Sequence, residues 1–210
     1  QISQELCAAG TYQASTGQTS CGDAAAGYYS EGTVTDATTG VTTVATSQTP
    51  CAAGKYQADT AQSSCDTASA GYYSPGTVGA STVDSSVTTA ATSQIPCAAG
   101  TYQASTGESS CDDAAAGYYS NGTISVNGVV TFTAIDHTAC PEGTYQASAG
   151  QSSCDDADSG YYSEGTLPAA IATSQTACAA GTYQGQTGQT SCDDATVGYY
   201  SPGTVGGSGV

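Results

Sequence analysis

Cysteine is the residue type in this 210-residue chain whose number and spacing could do the most chemistry. There are ten, in five pairs: Cys7 and Cys21, Cys51 and Cys65, Cys97 and Cys111, Cys140 and Cys154, Cys178 and Cys192. Thirteen residues intervene in every pair, and the first members of successive pairs lie 44, 46, 43 and 38 residues apart. Cysteines in such number either hold zinc or cross-link the chain. Zinc sites use short spacings such as C-x2-C, completed by cysteine or histidine. There is no C-x-x-C here and only one histidine, His137. An even count at regular spacing therefore reads as a disulfide framework, formed in an oxidising compartment.

Other chemistry has little to build on. Catalysis needs unlike side chains converging on one point, and His137 and Lys55 each occur once, at motif positions where the other copies carry Gln and Thr. Both read as surface substitutions, and no catalytic residue is expected. Adjacent carboxylates such as Asp112 and Asp113 read more economically as helix or turn caps than as an acid–base pair. Asp155, Asp156, Asp158, Asp193 and Asp194 offer hard oxygen ligands for calcium. The first two copies keep only Asp23 and Asp66 there, and no known calcium-loop pattern occurs. No cofactor or metal is expected, calcium being the one alternative left open. Asn121-Gly122-Thr123 is the single N-glycosylation sequon. Ser and Thr clusters at 37–47 and 81–93 read equally as O-glycan sites or as plain β-formers.

Composition narrows the field further. Formal net charge is −17, Lys55 is the only cation and Arg is absent. Nucleic acid is excluded as a partner because phosphate contacts need Lys and Arg, and no apolar run is long enough to insert in a membrane. With two Leu, one Phe and no Trp or Met, the chain lacks the large side chains that supply most burial energy. Stability must come from elsewhere. No signal segment is visible, so the sequence reads as a mature or excised piece of a longer precursor.

The elements that position the cysteines come from an internal repeat. All fifteen tyrosines lie within it, three per copy: Tyr12, Tyr28 and Tyr29; Tyr56, Tyr72 and Tyr73; Tyr102, Tyr118 and Tyr119; Tyr145, Tyr161 and Tyr162; Tyr183, Tyr199 and Tyr200. Each copy contains two versions of one smaller module. "CAAGTYQ" from Cys7 aligns with "AAAGYYS" from Ala24, and "TSC" at Cys21 aligns with "TSQ" at Gln48. In the second module Ala24, Ala68, Ala114, Ala157 and Ala195 replace the first cysteine. Gln48, Gln94, His137 and Gln175 replace the second, and Gln4 holds the same place near the amino terminus. Both cysteines are lost together, as pairing within a module predicts. The expected bridges are thus Cys7–Cys21, Cys51–Cys65, Cys97–Cys111, Cys140–Cys154 and Cys178–Cys192, although sequence alone does not normally settle connectivity.

A fourteen-residue separation suits a β-hairpin stapled at its base, turning at Thr16-Gly17. Closing such a loop contributes roughly 3 kcal/mol in the chain-entropy model. The following "DDAAAG" predicts one helical turn or a tight loop, and Gly-Tyr-Tyr-Ser a short strand whose tyrosines face opposite ways. One tyrosine is expected over its own disulfide and the other against the next copy. The Thr- and Val-rich connectors predict short strands rather than disorder. Asn127-Gly128 in "TISVNGVVTFTAI" is a type I′ hairpin signal.

"CPEGTYQASAGQSSC" at 140–154 resembles the ephrin-receptor-like cysteine-rich repeat, a short tandem module of extracellular proteins. The resemblance recurs at "CAAGTYQASTGQTSC", "CAAGKYQADTAQSSC", "CAAGTYQASTGESSC" and "CAAGTYQGQTGQTSC". Proline is kept only at Pro141, and Ala stands at the second cysteine of the family's C-x-x-C. The resemblance implies a secreted or cell-surface structural role and brings no catalytic residues.

The expected fold is all-β, small and disulfide-rich: five tandem repeats of about 38–46 residues, short hairpins stacked into an elongated rod. The repeats run 1–33, 34–77, 78–123, 124–166 and 167–210, each after the first with its preceding linker. The tyrosines are expected to pack repeat on repeat. The expected function is a secreted structural protein that self-associates end to end into a glycan-bearing extracellular filament or surface appendage. Ordinary repeat material at both ends, with no polar capping unit, suits such assembly and equally suits a piece of a longer array. The alternative is a stalk or ectodomain array that spaces or multiplies a carbohydrate or protein site.

Overall fold

Each cystine module forms a two-stranded antiparallel hairpin closed at its base. The computed structural model describes residues 4–78, 89–168 and 170–204. Strand Thr11–Tyr12 pairs with Gly22–Asp23, Lys55–Tyr56 with Asp66–Thr67, Thr101–Tyr102 with Asp112–Asp113, Thr144–Tyr145 with Asp155–Asp156, and Thr182–Tyr183 with Asp193–Asp194. Disulfides Cys7–Cys21, Cys51–Cys65, Cys140–Cys154 and Cys178–Cys192 each bring Cα atoms to 5.7–5.8 Å. Cys97 and Cys111 are disulfide-bonded too, and no cysteine is free.

The second modules repeat this hairpin without a cystine. Tyr28–Tyr29 pairs with Thr49–Pro50, Tyr72–Tyr73 with Ile95–Pro96, Tyr118–Tyr119 with Thr138–Ala139, and Tyr161–Tyr162 with Thr176–Ala177. Gln48 therefore precedes its return strand as Cys21 precedes its own, which confirms the alignment of the two modules in space.

No helix occurs among the described residues, and the capping role read for the Asp pairs is corrected. Asp112 and Asp113 are strand residues opposite Tyr102 and Thr101. Their backbone groups are taken up in the hairpin, so none remains to start a helix. A four-residue turn follows instead, with Tyr28 N–H donating to Ala25 O at 3.0 Å and Tyr118 N–H to Ala115 O at 3.0 Å.

The connectors are excursions with fixed ends. Thr33 N–H donates to Cys7 O, Ala45 N–H to Thr33 Oγ1, and Gln13 N–H to Ala45 O. The same three bonds recur around Thr166, Ala172 and Gln146. Between such anchors the chain makes hairpins, Val34–Thr35 with Thr42–Thr43 and Ile124–Val126 with Val129–Phe132. The second turns through Asn127 and Gly128, at φ 52° and 78°, as a type I′ turn requires. Residues 79–88, which hold much of the 81–93 Ser/Thr cluster, lie outside the described residues, as do 205–210.

The chain divides into two compact units, residues 1–96 with 105–111 and residues 97–104 with 112–210. In both, the core is made of small groups: Ala24, Ala68, Ser30 and Ser74 are buried in the first, and Ala114, Ala157, Ser120 and Ser163 in the second. The large apolar side chains, Phe132 and Val129 among them, are exposed on the excursions. Backbone-to-backbone stacking explains this inversion. A Cβ on Gly143 would sit 2.2 Å from Gly188 O, and one on Gly54 1.9 Å from Gly107 O. At such spacing there is no room for a large side chain between modules.

Candidate assembly interface

Within each unit one contact, made of backbone groups, joins successive modules. In the first unit Gly10 N–H donates to Ser30 O and Gly27 N–H to Gln57 O, at 2.7 and 2.8 Å. Each glycine carbonyl accepts in return, from Ala24 N–H and Cys51 N–H. In the second unit Gly100, Gly117, Gly143, Gly160 and Gly181 donate to Ser120, Gln146, Ser163, Gln184 and Ser201 in the same way. Where a cysteine-free module meets the following cystine module two more bonds form. Ser163 N–H donates to Gln189 O, and Gly188 N–H to Ala157 O, both at the hairpin turn. Backbone pairing of this kind satisfies groups that stacking would otherwise bury unbonded.

The glutamines that replace cysteine act as latches. Gln48 Oε1 accepts Ala25 N–H at 2.7 Å, Gln94 Oε1 accepts Ser69 N–H at 2.7 Å, and Gln175 Oε1 accepts Asp158 N–H at 2.6 Å. Each reaches the residue after the buried alanine, so it spans the gap that a cystine spans in the other module. Gln175 Nε2 also donates to Asp158 Oδ2 at 2.8 Å. The sequence signal was present, Gln at three of the four replaced positions, but a lost cysteine was read as a lost staple.

His137 occupies the latch position of the third repeat and is not a surface substitution. Its ring lies 4.8 Å from Tyr102 and 4.3 Å from Tyr118 between centroids, with Nδ1 buried and without a partner. A rigid imidazole cannot extend as far as a glutamine amide, and it takes up aromatic contact instead. Lys55 is exposed, as expected, and its Nζ donates to Thr67 Oγ1 at 3.1 Å.

The tyrosine pairs are half-buried in the first four repeats, both members alike, so the division into one inner and one outer ring is not seen in burial. The fifth repeat differs. Tyr199 and Tyr200 are 81% and 89% exposed and border a depression of about 380 Å³ with Tyr183, Ala195 and Pro202. Here no module follows among the described residues.

The remaining candidate residues stay apart from any site. No cluster of three or more His, Cys, Asp or Glu side chains able to hold a metal occurs among the described residues. Asn121 is exposed in its turn. Burial, then the charges of Asp158 and Asp155, raise the Tyr145 phenol above its ordinary value. Asp36 is held below its ordinary value by the Thr39 N–H, then the Thr39 hydroxyl and the Thr38 N–H, which tie the first excursion's turn. No helix among the described residues is long and apolar enough to cross a membrane. The chain matches no protein-family model and no curated protein sequence.

Proposed function

We propose that this chain is an extracellular structural repeat protein whose module-to-module contact continues between chains, giving a filament or surface appendage. The observation that carries the reading is the backbone contact that recurs from module to module within each unit, Gly10 N–H to Ser30 O in the first and Gly143 N–H to Ser163 O in the second. Complete oxidation of the cysteines fits an oxidising compartment outside the cell. The ephrin-receptor-like resemblance points the same way, and Asn121 is open to a glycan. Joining unlike faces head to tail generates an open or ring-shaped polymer rather than a dimer.

A second reading, a stalk that multiplies a carbohydrate or protein site, draws on a crevice that recurs in register. Tyr29, Ser30, Glu31 and Gly32 line it in the first repeat, and Tyr162, Ser163, Glu164 and Gly165 in the fourth. Electron microscopy of native, non-reduced material separates the two. Uniform polymers with an axial period are expected, and dispersed particles of one length at all concentrations would overturn the filament in favour of the stalk.

A further inference from the structure

The turn that carries Asn121 has the geometry of its counterpart in the first repeat. Gly122 N–H donates to Ser120 Oγ and Ser120 Oγ to Thr101 O, as Gly32 N–H donates to Ser30 Oγ and Ser30 Oγ to Thr11 O. Gly122 and Gly32 take nearly the same positive φ, 72° and 75°. Position 31 therefore shows where residue 121 stands. Glu31 borders a crevice that is also lined by Val34 and Thr43 of the hairpin that follows it. Asn121 is exposed at the same place in the third repeat, at the foot of the hairpin formed by Ile124–Val126 and Val129–Phe132.

That hairpin differs from the one in the first repeat. There Val34 faces Thr43 and Thr35 faces Thr42, with the Thr35 and Thr42 hydroxyls bonded at 2.9 Å. In the third repeat Ile124 faces Phe132 and Val126 faces Val129. A register shift between Ile124 and Ser125 sets both pairs on one side of the ribbon. These four side chains are 40% to 65% exposed, and no third strand joins the sheet among the described residues. A two-stranded ribbon alone is marginally stable in water, and an exposed apolar face marks a place where something binds. The chain's only N-glycosylation sequon ends where this hairpin begins, and its only Phe lies within it.

We propose that Asn121 carries an N-linked glycan whose first sugars lie over the face made by Ile124, Val126, Val129 and Phe132. This rests on the extracellular reading and adds what covers the hairpin. In the transfer, Asn121 Nδ2 loses a proton and bonds to C1 of the first sugar, while the bond from that C1 to the pyrophosphate of a lipid-linked oligosaccharide donor breaks. Thr123 Oγ1 accepts Ala134 N–H at 3.0 Å in the folded chain, so the sequon is read before this anchor forms. A sugar ring has an apolar C–H face and a rim of hydroxyls. The face meets Phe132 and the aliphatic side chains, and the rim stays in water. Because the sugar is tethered three residues before Ile124, covering the hairpin costs none of the entropy of bringing two molecules together.

The test uses the full chain from its native source. Peptide mass spectrometry after glycoamidase treatment in isotopically labelled water is expected to find Asn121 converted to a labelled Asp. Hydrogen exchange then compares the glycosylated chain with the same chain after release. Amides of residues 124–132 should exchange about fivefold faster without the glycan. Those of the hairpin at 34–43 should not change, which separates a local cover from a general loss of stability. In variants made in the same host, Asn121→Glu, which reproduces Glu31 and Glu164, should show the fast exchange without treatment. Phe132→Thr, which keeps a strand-forming residue, should reduce the effect of release to less than about twofold. An unmodified Asn121 in native material overturns the proposal. A glycan whose removal leaves residues 124–132 unchanged overturns it too, because that glycan extends into water. Protection of the hairpin that arises only on assembly, with Asn121 bare, overturns it in favour of a second copy as the cover. Each of these results leaves the filament standing, since electron microscopy reads that separately.

Discussion

The two modules of each repeat solve one closure problem by different means. The cystine module closes a loop of constant length with a covalent bridge between residues fourteen apart. The cysteine-free module closes loops of unequal length with one glutamine, from Gln48 to Ala25, 23 residues away, and from Gln175 to Asp158, 17 away. Loop length is tolerated there because the excursion is already gathered by its anchors, Thr33 and Ala45 in the first repeat, Thr166 and Ala172 in the fourth. What the glutamine supplies is the position of the return strand. Variation in the sequence is thus confined to the half of the repeat whose closure does not depend on chain length.

The largest effect expected from this contrast is removal of a cystine. A Cys140→Ser/Cys154→Ser variant should lose about 3 kcal/mol locally, the chain-entropy value for a loop of this size. Hydrogen exchange at Ala157 N–H, which bonds Gly143 O across the module, reads that loss directly. An effect below about 1 kcal/mol would mean that backbone stitching, and not the cystine, holds the module. Removal of a latch should cost less. Gln175→Ala deletes two hydrogen bonds in an exposed setting, a change of about 1 kcal/mol. It should speed exchange at Asp158 N–H and leave Ala157 N–H almost untouched. Equal costs for the two variants would erase the distinction between staple and latch.

Much of this was legible in the sequence, for physical reasons that differ by element. Cysteine spacing disclosed the hairpins because a disulfide demands a fixed Cα separation. Replacement of both cysteines together, by Ala24 and Gln48, disclosed the pairing. Asn127-Gly128 disclosed its turn because few dipeptides tolerate two left-handed residues. The latches stayed hidden, since a side chain bonding a backbone N–H leaves no pattern beyond its own identity. The anchors stayed hidden likewise, because Thr33 and Ala45 are ordinary residue types in a Thr- and Ala-rich chain. The Asp pairs misled because aspartate is common both at helix caps and beside turns, and only pairing with Tyr102 and Thr101 decides between them.

The smallest and most discriminating effect belongs to His137. Its neighbours in other repeats are glutamines, and its own Nδ1 has no partner while Ala115 N–H, the counterpart of Ala25 N–H, is left unlatched. Replacing it by glutamine restores an acceptor of the right length. The gain, about 1 kcal/mol for one exposed hydrogen bond, is opposed by loss of the ring contacts to Tyr102 and Tyr118. Contacts of that kind contribute roughly 0.5–1.5 kcal/mol. Global stability of His137→Gln should therefore change by less than about 1 kcal/mol, in a direction set by which contribution is larger. Exchange at Ala115 N–H does not share this ambiguity, since the aromatic contacts do not touch it. It should slow toward the rates of Ala25 and Ser69 if the latch is a property of the position. If it does not slow, the glutamine bonds belong to their own loops, and closure of the third repeat is already complete with histidine.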